Sequence, residues 1–248
     1  MYRFAFLGDS NEKPVSFVPK IVIACLFFAF TLQVTWHASR PPLIASATDL
    51  PAPPPVEKLI LLDLGDPVTM AKIVMLWLQS FDNQPGISIP FKSLDYNRLV
   101  DWLHLILCLD ENARYPLFAA SRLYSEVPDD IKKRQMLDFV YQQFLDDPDS
   151  RWPTLAHAVY VAKHRLHDMQ LALRYAHALA SMVTDKDIPP WVKQMEIYVL
   201  EDMGEIESAR VLIGGLLESG EITDAHELEF LKQRLERLEK QESGASSQ

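Results

Sequence analysis

His157, His164 and His167, with Asp168 beside them and His177 nearby, form the one histidine constellation in the chain. Imidazole and carboxylate are the ligands that zinc and related metals take. On a helix, residues seven apart share a face and residues three apart are neighbours. His157, His164 and His167 are therefore candidate metal ligands of a metal carrier or a metal-dependent enzyme. The same pattern fits polar side chains on a surface helix and its turn, since histidine is favourable near a helix C-terminus. Both readings stay open. The chain has no Gly-rich phosphate loop and no Gly-x-Ser-x-Gly elbow, and His226-Glu227-Leu228-Glu229-Phe230 starts like a zincin motif but lacks the second histidine. Its two cysteines, Cys25 and Cys108, have no zinc spacing. No catalytic residue, cofactor or small-molecule substrate is implied, and the chain reads as a non-enzyme.

The elements that must position these histidines lie in Arg151 to Leu217, where a helix pair is written twice. Leu166-His167-Asp168-Met169-Gln170-Leu171-Ala172 is followed by Met203-Gly204-Glu205-Ile206-Glu207-Ser208-Ala209, with Asp168 over Glu205 and Ala172 over Ala209, both 37 residues apart. Each copy has an apolar helix, a tight acidic turn and a second helix whose small alanine admits a close neighbour. Trp152-x2-Leu155-Ala156, Ala172-x3-Ala176 and Ala209-x3-Ile213 are partial matches to the tetratricopeptide pattern, and the stretch resembles that family in a divergent form. Trp152 to Ala172 is longer than the family spacing by about one turn of roughly 3.6 residues. Leu109-Asp110-Glu111-Asn112-Ala113 resembles the family's repeat-closing segment. Arg114-Tyr115-Pro116, Arg151-Trp152-Pro153 and, more loosely, Pro189-Pro190-Trp191 set a proline beside an aromatic, as if three helices each started there. The rings of Trp102, Tyr115, Trp152, Tyr160, Tyr175, Trp191 and Tyr198 are expected as seam and core. The resemblance covers about residues 94–218 and implies a protein-interaction module. Its asparagine-based carboxylate clamp is not expected, because Asn11, Asn83, Asn97 and Asn112 all miss the first helices of the clear repeats.

In chain order, residues 1–19 read as a short head and 20–38 as a membrane-spanning helix. Ile21 to Trp36 carries no charge, and a helix from Pro19 to His37 would be about 28 Å long, near the hydrocarbon thickness of roughly 30 Å. Ala45-Ser46-Ala47 resembles a cleavage site, but the apolar run ends well before it, so an uncleaved anchor is expected. Arg3, Lys13 and Lys20 precede the run and Arg40 follows, which puts the N-terminus in the cytoplasm and, in a bacterium, the body in the periplasm. A cytoplasm-facing repeat adaptor is the opposite orientation of the same design. Residues 39–58 form a Pro-rich spacer, stiff enough to hold the body off the membrane.

Residues 59–93 hold an apolar stretch, a helix started by Asp66-Pro67 that buries Met70, Ile73, Val74 and Leu76 or Leu78, and a loop from Ile87 to Ser93. Repeats follow over 94–221, the first of them a helix burying Leu99, Trp102, Leu103, Ile106, Leu107 and Leu109. A capping helix is expected at 222–242, with an Asp224–Glu227 capping box and a stripe of Leu228, Leu231, Leu235 and Leu238, and a disordered tail at 243–248. The fold class is thus all-α: one transmembrane helix, then a tetratricopeptide-like α-solenoid with a C-terminal cap. Residues 1–40 carry a net charge of +2 and the rest −12, which argues against nucleic acid. The sequence reads as a membrane-anchored scaffold for a protein partner in a cell-envelope complex.

Overall fold

The computed structural model describes residues 18–39, 48–63, 65–81, 83–84, 87–185, 187–220, 222 and 224–245. Most of the head, Ala45-Ser46-Ala47 and residues 246–248 lie outside them. Among the described residues the fold is all-helical apart from a two-residue antiparallel pairing of β1 (Asn83–Gln84) with β2 (Ile87–Ser88). It divides into two compact units, residues 1–45 and 46–248.

The first unit holds α1 (Lys20–Ser39), a helix long and apolar enough to cross a membrane, none of whose side chains is buried. Its two threonine hydroxyls are satisfied within the helix. Thr31 Oγ1 donates to the carbonyls of Phe27 and Phe28, and Thr35 Oγ1 to those of Thr31 and Leu32, at 2.8–3.0 Å. That is how hydroxyls are accommodated where water is absent.

The second unit contains α2 (Val56–Ile60), α3 (Pro67–Gln79), α4 (Tyr96–Leu109), α5 (Arg114–Arg122), α6 (Asp130–Asp146), α7 (Pro148–His164), α8 (Met169–Met182), α9 (Trp191–Met203), α10 (Ile206–Ser219) and α11 (Ala225–Ala245). Much of the acidic composition starts helices. The carboxylates of Asp66, Asp95, Asp129, Asp147 and Asp168 each accept backbone N–H groups at the N-termini of α3, α4, α6, α7 and α8. Each such cap is worth about 0.5–2 kcal/mol. Asp149, in the first turn of α7, accepts Thr184 N–H at 2.7 Å, Thr184 Oγ1 at 2.8 Å and Asp185 N–H at 3.0 Å, which ties the loop after α8 to the start of α7. These bonds hold its carboxyl below the usual carboxylate range.

Each helix from α3 to α11 packs on the next, and alternate helices also touch: α4 with α6, α5 with α7, α7 with α9. Ala172, Ala176 and Ala209 are wholly buried, where a larger side chain would hold the helices apart. All six α4 residues expected in the core are buried. In α3 the expected stripe holds at Val74 and Leu78, with Met70 packed against the core, and fails at Ile73. Ala71, Val74, Met75 and Leu78 face the core, while Ile73 and Leu76 are exposed. This helix is apolar almost all round, so periodicity could not exclude Ile73, and the small Ala71 marks the inner side.

The start of α7 is a second correction. Asp147 is its N-cap and Pro148 its first residue, while Pro153 lies inside the helix. Pro148 lacks only an N–H that would be unsatisfied anyway. Pro153 forgoes one bond, to the Asp149 carbonyl, near the helix start. The recurring rings do meet in one place, Trp152 edge-on to Trp191 at 5.6 Å.

Part of the Pro-rich segment is fastened to the body. Leu50 is buried in the core, Arg98 Nη1 donates to its carbonyl at 2.5 Å, and Trp102 Nε1 donates to the Pro51 carbonyl at 2.8 Å. At the other end, α11 continues to Ala245, past the expected boundary. Asp224 caps it at Glu227 N–H, but the Glu227 side chain turns to Gln194 of α9 and does not complete a capping box.

Two turns share a backbone feature. His167 (φ 52°) and Gly204 (φ 80°) are both left-handed and stand 37 residues apart, before Asp168 and Glu205. Around His167 the Asp168 N–H reaches the Ala162 carbonyl at 3.0 Å, closing the end of α7. A left-handed non-glycine residue costs about 1–2 kcal/mol, and glycine adds about 0.5–1 kcal/mol of unfolded-state entropy. His167→Gly should therefore raise stability by about 0.5–1 kcal/mol in urea unfolding. A loss of stability would mean that the side chain has a role its exposure does not reveal.

Candidate functional site

Among the described residues, no group of three or more His, Cys, Asp or Glu side chains is placed to hold one metal ion. The candidate set His157, His164 and His167 is split by the end of α7. His167 leaves the helix in the left-handed turn and is exposed. Asp168 caps α8 and is paired with Arg134 of α6. His177 lies on α8, with its Nδ1 2.8 Å from Glu196 of α9.

His157 and His164 stay together on α7, with Tyr160 between them. The His157 and Tyr160 rings stack at 5.8 Å, and Tyr160 lies 4.8 Å from His164. Steps of three and four residues put all three on one face of α7. The same steps put Tyr115, Phe118 and Arg122 on one face of α5. There Tyr115 stacks on Phe118 at 6.1 Å, and the Arg122 guanidinium sits 5.7 Å over the Phe118 ring. Gln79 of α3 donates to the Tyr115 hydroxyl at 2.6 Å and fixes that ring. Because α5 packs on α7, the two rows adjoin, and Arg122 is close enough to act on His157 electrostatically.

The aromatics expected as core thus divide. Trp102 and Tyr175 are buried, whereas Tyr115, Tyr160 and Trp191, like Phe118, which was not among those expected, are between 44 and 47 % exposed. All four belong to alternate helices, α5, α7 and α9. Arg122 has no ion-pair or hydrogen-bond partner among the described residues, while Arg134, Arg174 and Arg234 are each held by a carboxylate. Burial, then the charge of Arg122, holds the His157 imidazole below its usual range, with Glu126 opposing. Desolvation, then Lys163, His167 and Arg165, does the same to His164. The two imidazoles are therefore neutral members of an aromatic surface at neutral pH, and its fixed charge is on Arg122. Phe118 and Arg122 escaped the sequence reading, although their i, i+4 spacing from each other was a usable signal.

A cavity of about 570 Å³ lies between Leu50, the start of α4 and α6. Its cations are already used: Lys132 Nζ donates to the carbonyls of Lys92 and Leu94 at 2.7 Å, and Arg98 donates to that of Leu50. It offers no converging set of free polar groups for a substrate. The exposed aromatic strip on α5 and α7 is the stronger candidate, and its chemistry suits contact with another protein surface. Aromatic side chains bury large area with little loss of rotamer freedom, and Arg122 already lies over the Phe118 ring.

No protein-family model matches the chain, and neither the curated proteins nor the solved structures give a match.

Proposed function

We propose that the chain is a single-pass membrane protein whose body is a divergent tetratricopeptide-like α-solenoid. It acts without catalysis, as a scaffold that docks a protein partner in the assembly or maintenance of a bacterial cell-envelope complex. The observation that carries this reading is the row of half-exposed aromatics on α5, α7 and α9, which touch in turn. In stacked helix pairs, the first helices line the surface that meets partners. The paired left-handed turns and the buried Ala172 and Ala209, each 37 residues apart, support the repeat. The packing of α11 on α10 supports a terminal cap. The length and apolarity of α1 support the anchor, and the basic residues before it support a periplasmic body in the inner membrane.

Fusions after Gln248 test the orientation. A reporter active only after export should work, and one active only in the cytoplasm should be silent. The reverse pattern makes the protein a cytoplasm-facing adaptor. Chemical cross-linking through the intact anchor should reproducibly join the chain to one other protein, and repeated failure to do so would refute the docking role.

A further inference from the structure

Exposed apolar side chains gather in α2 and α3. Leu61 is 81 % exposed at the end of α2, with Ile60 and Leu62 beside it. Leu76, 69 % exposed, and Ile73 are left outward by the phase of α3. Soluble surfaces seldom concentrate such side chains without a purpose. The charges beside it are mixed, Lys58 and Lys72 among Glu57, Asp63 and Asp66. Lys58 and Lys72 have no carboxylate within ion-pair distance among the described residues. Asp63 and Asp66, the nearest acids but for Glu57, turn their carboxylates to the backbone N–H groups of Gly65 and Thr69. Free lysines beside an apolar patch can lay their stems along it and reach lipid headgroups with the ammonium.

Chain length permits such a contact. The connection expected as a long stiff spacer is cut short where Arg98 and Trp102 hold Leu50 and Pro51. Only residues 40–49 join Ser39 to Leu50. Ten residues reach at most about 35 Å when fully extended.

We propose that Ile60, Leu61, Leu62, Ile73 and Leu76 form a membrane-contact surface that dips into the interfacial zone of the bilayer crossed by α1. The contact rests on the anchor reading. It makes the body lie against the lipid instead of standing clear of it, and it fixes which end of the helical array meets the membrane.

The test uses the full chain in phosphatidylcholine nanodiscs. An environment-sensitive nitrobenzoxadiazole label is attached to Leu61→Cys or, separately, Leu76→Cys, in a Cys25→Ser, Cys108→Ser background. Both labels should emit blue-shifted and be quenched by doxyl-labelled lipid. The same label at Ile131→Cys, equally exposed on α6, should emit as in water and be unquenched. Water-like emission at both Leu61 and Leu76, or equal quenching at Ile131, would overturn the proposal. So would blue-shifted emission without lipid quenching, which would mean that protein covers the patch. A label on the native Cys25, inside α1, reports the anchor separately. If Cys25 is not quenched, the anchor itself is wrong. If Cys25 is quenched and both leucines are not, only the contact surface fails.

Discussion

Removal of residues 222–248 strips α11 from the body and lowers its stability by several kcal/mol, whereas removal of 246–248 leaves the unfolding curve unchanged. Leu231 and Leu238 are buried in a cluster with Ile197, Leu200, Ala209 and Ile213. Two fully buried leucines account for about 3–6 kcal/mol at roughly 1.5–3 kcal/mol each. The polar joint adds to this. Arg234 grips Glu201 with two hydrogen bonds of 2.6 Å and lies 4.4 Å over the Tyr198 ring. Gln194 of α9 also loses the Glu227 carboxylate that accepts its hydrogen bond across this joint. A domain of this kind has about 5–15 kcal/mol in total, so the shorter chain should melt early and aggregate through the uncovered α9 and α10. Thermal unfolding by circular dichroism distinguishes the two truncations. Equal melting would make α11 a free amphipathic arm for a partner.

The second large effect is at Tyr175. Its ring is wholly buried and stacked on Tyr141 at 5.1 Å, and its hydroxyl donates to Asp138 at 3.1 Å. Tyr175→Ala should cost about 3–5 kcal/mol, because the neighbours cannot close so large a void. Tyr175→Phe should cost only about 0.5–1.5 kcal/mol, since Asp138 keeps Arg174 at 3.3 Å. Alkaline pH separates packing from polarity further. Burial, then the Asp138 carboxylate, raises the phenol far above its ordinary value. The stabilisation is complete below the unfolded value of about 10 and declines as pH climbs from there, because the unfolded chain loses the proton first. Tyr175→Phe should remove that part of the alkaline slope. Equal losses for Ala and Phe in urea unfolding would mean that the hydrogen bond, not the ring, holds α8 to α6.

The helices were legible because their signals are local. Aspartate caps and the 3.6-residue period of α4 or α8 are written in adjacent residues. What failed did so for stated physical reasons. Ile73 was misplaced in the core because the apolar residues of α3 surround its axis. Pro153 looked like a helix start because it recurs beside an aromatic, although Asp147-Pro148 carries the capping chemistry. The histidines look like a ligand set in one dimension, but a helix end falls between His164 and His167 and turns them apart. The i, i+4 spacing of Phe118 and Arg122 was legible, but their strip with Tyr160 was not, because it depends on α5 lying against α7, a contact between residues far apart in sequence. The fastening of Leu50 and Pro51 was hidden for a related reason. An extended Pro-rich segment has no period, and what holds it are single hydrogen bonds from α4.

Site-resolved photo-cross-linking tests the central claim most directly. A photoreactive amino acid is placed at Tyr160 on the aromatic strip or at Ile131 on α6, in the full membrane-anchored chain in cells. The account predicts one reproducible cross-linked protein from Tyr160, weakened when Arg122→Glu is added, and none from Ile131. The same product from both positions, or from Ile131 alone, would contradict it.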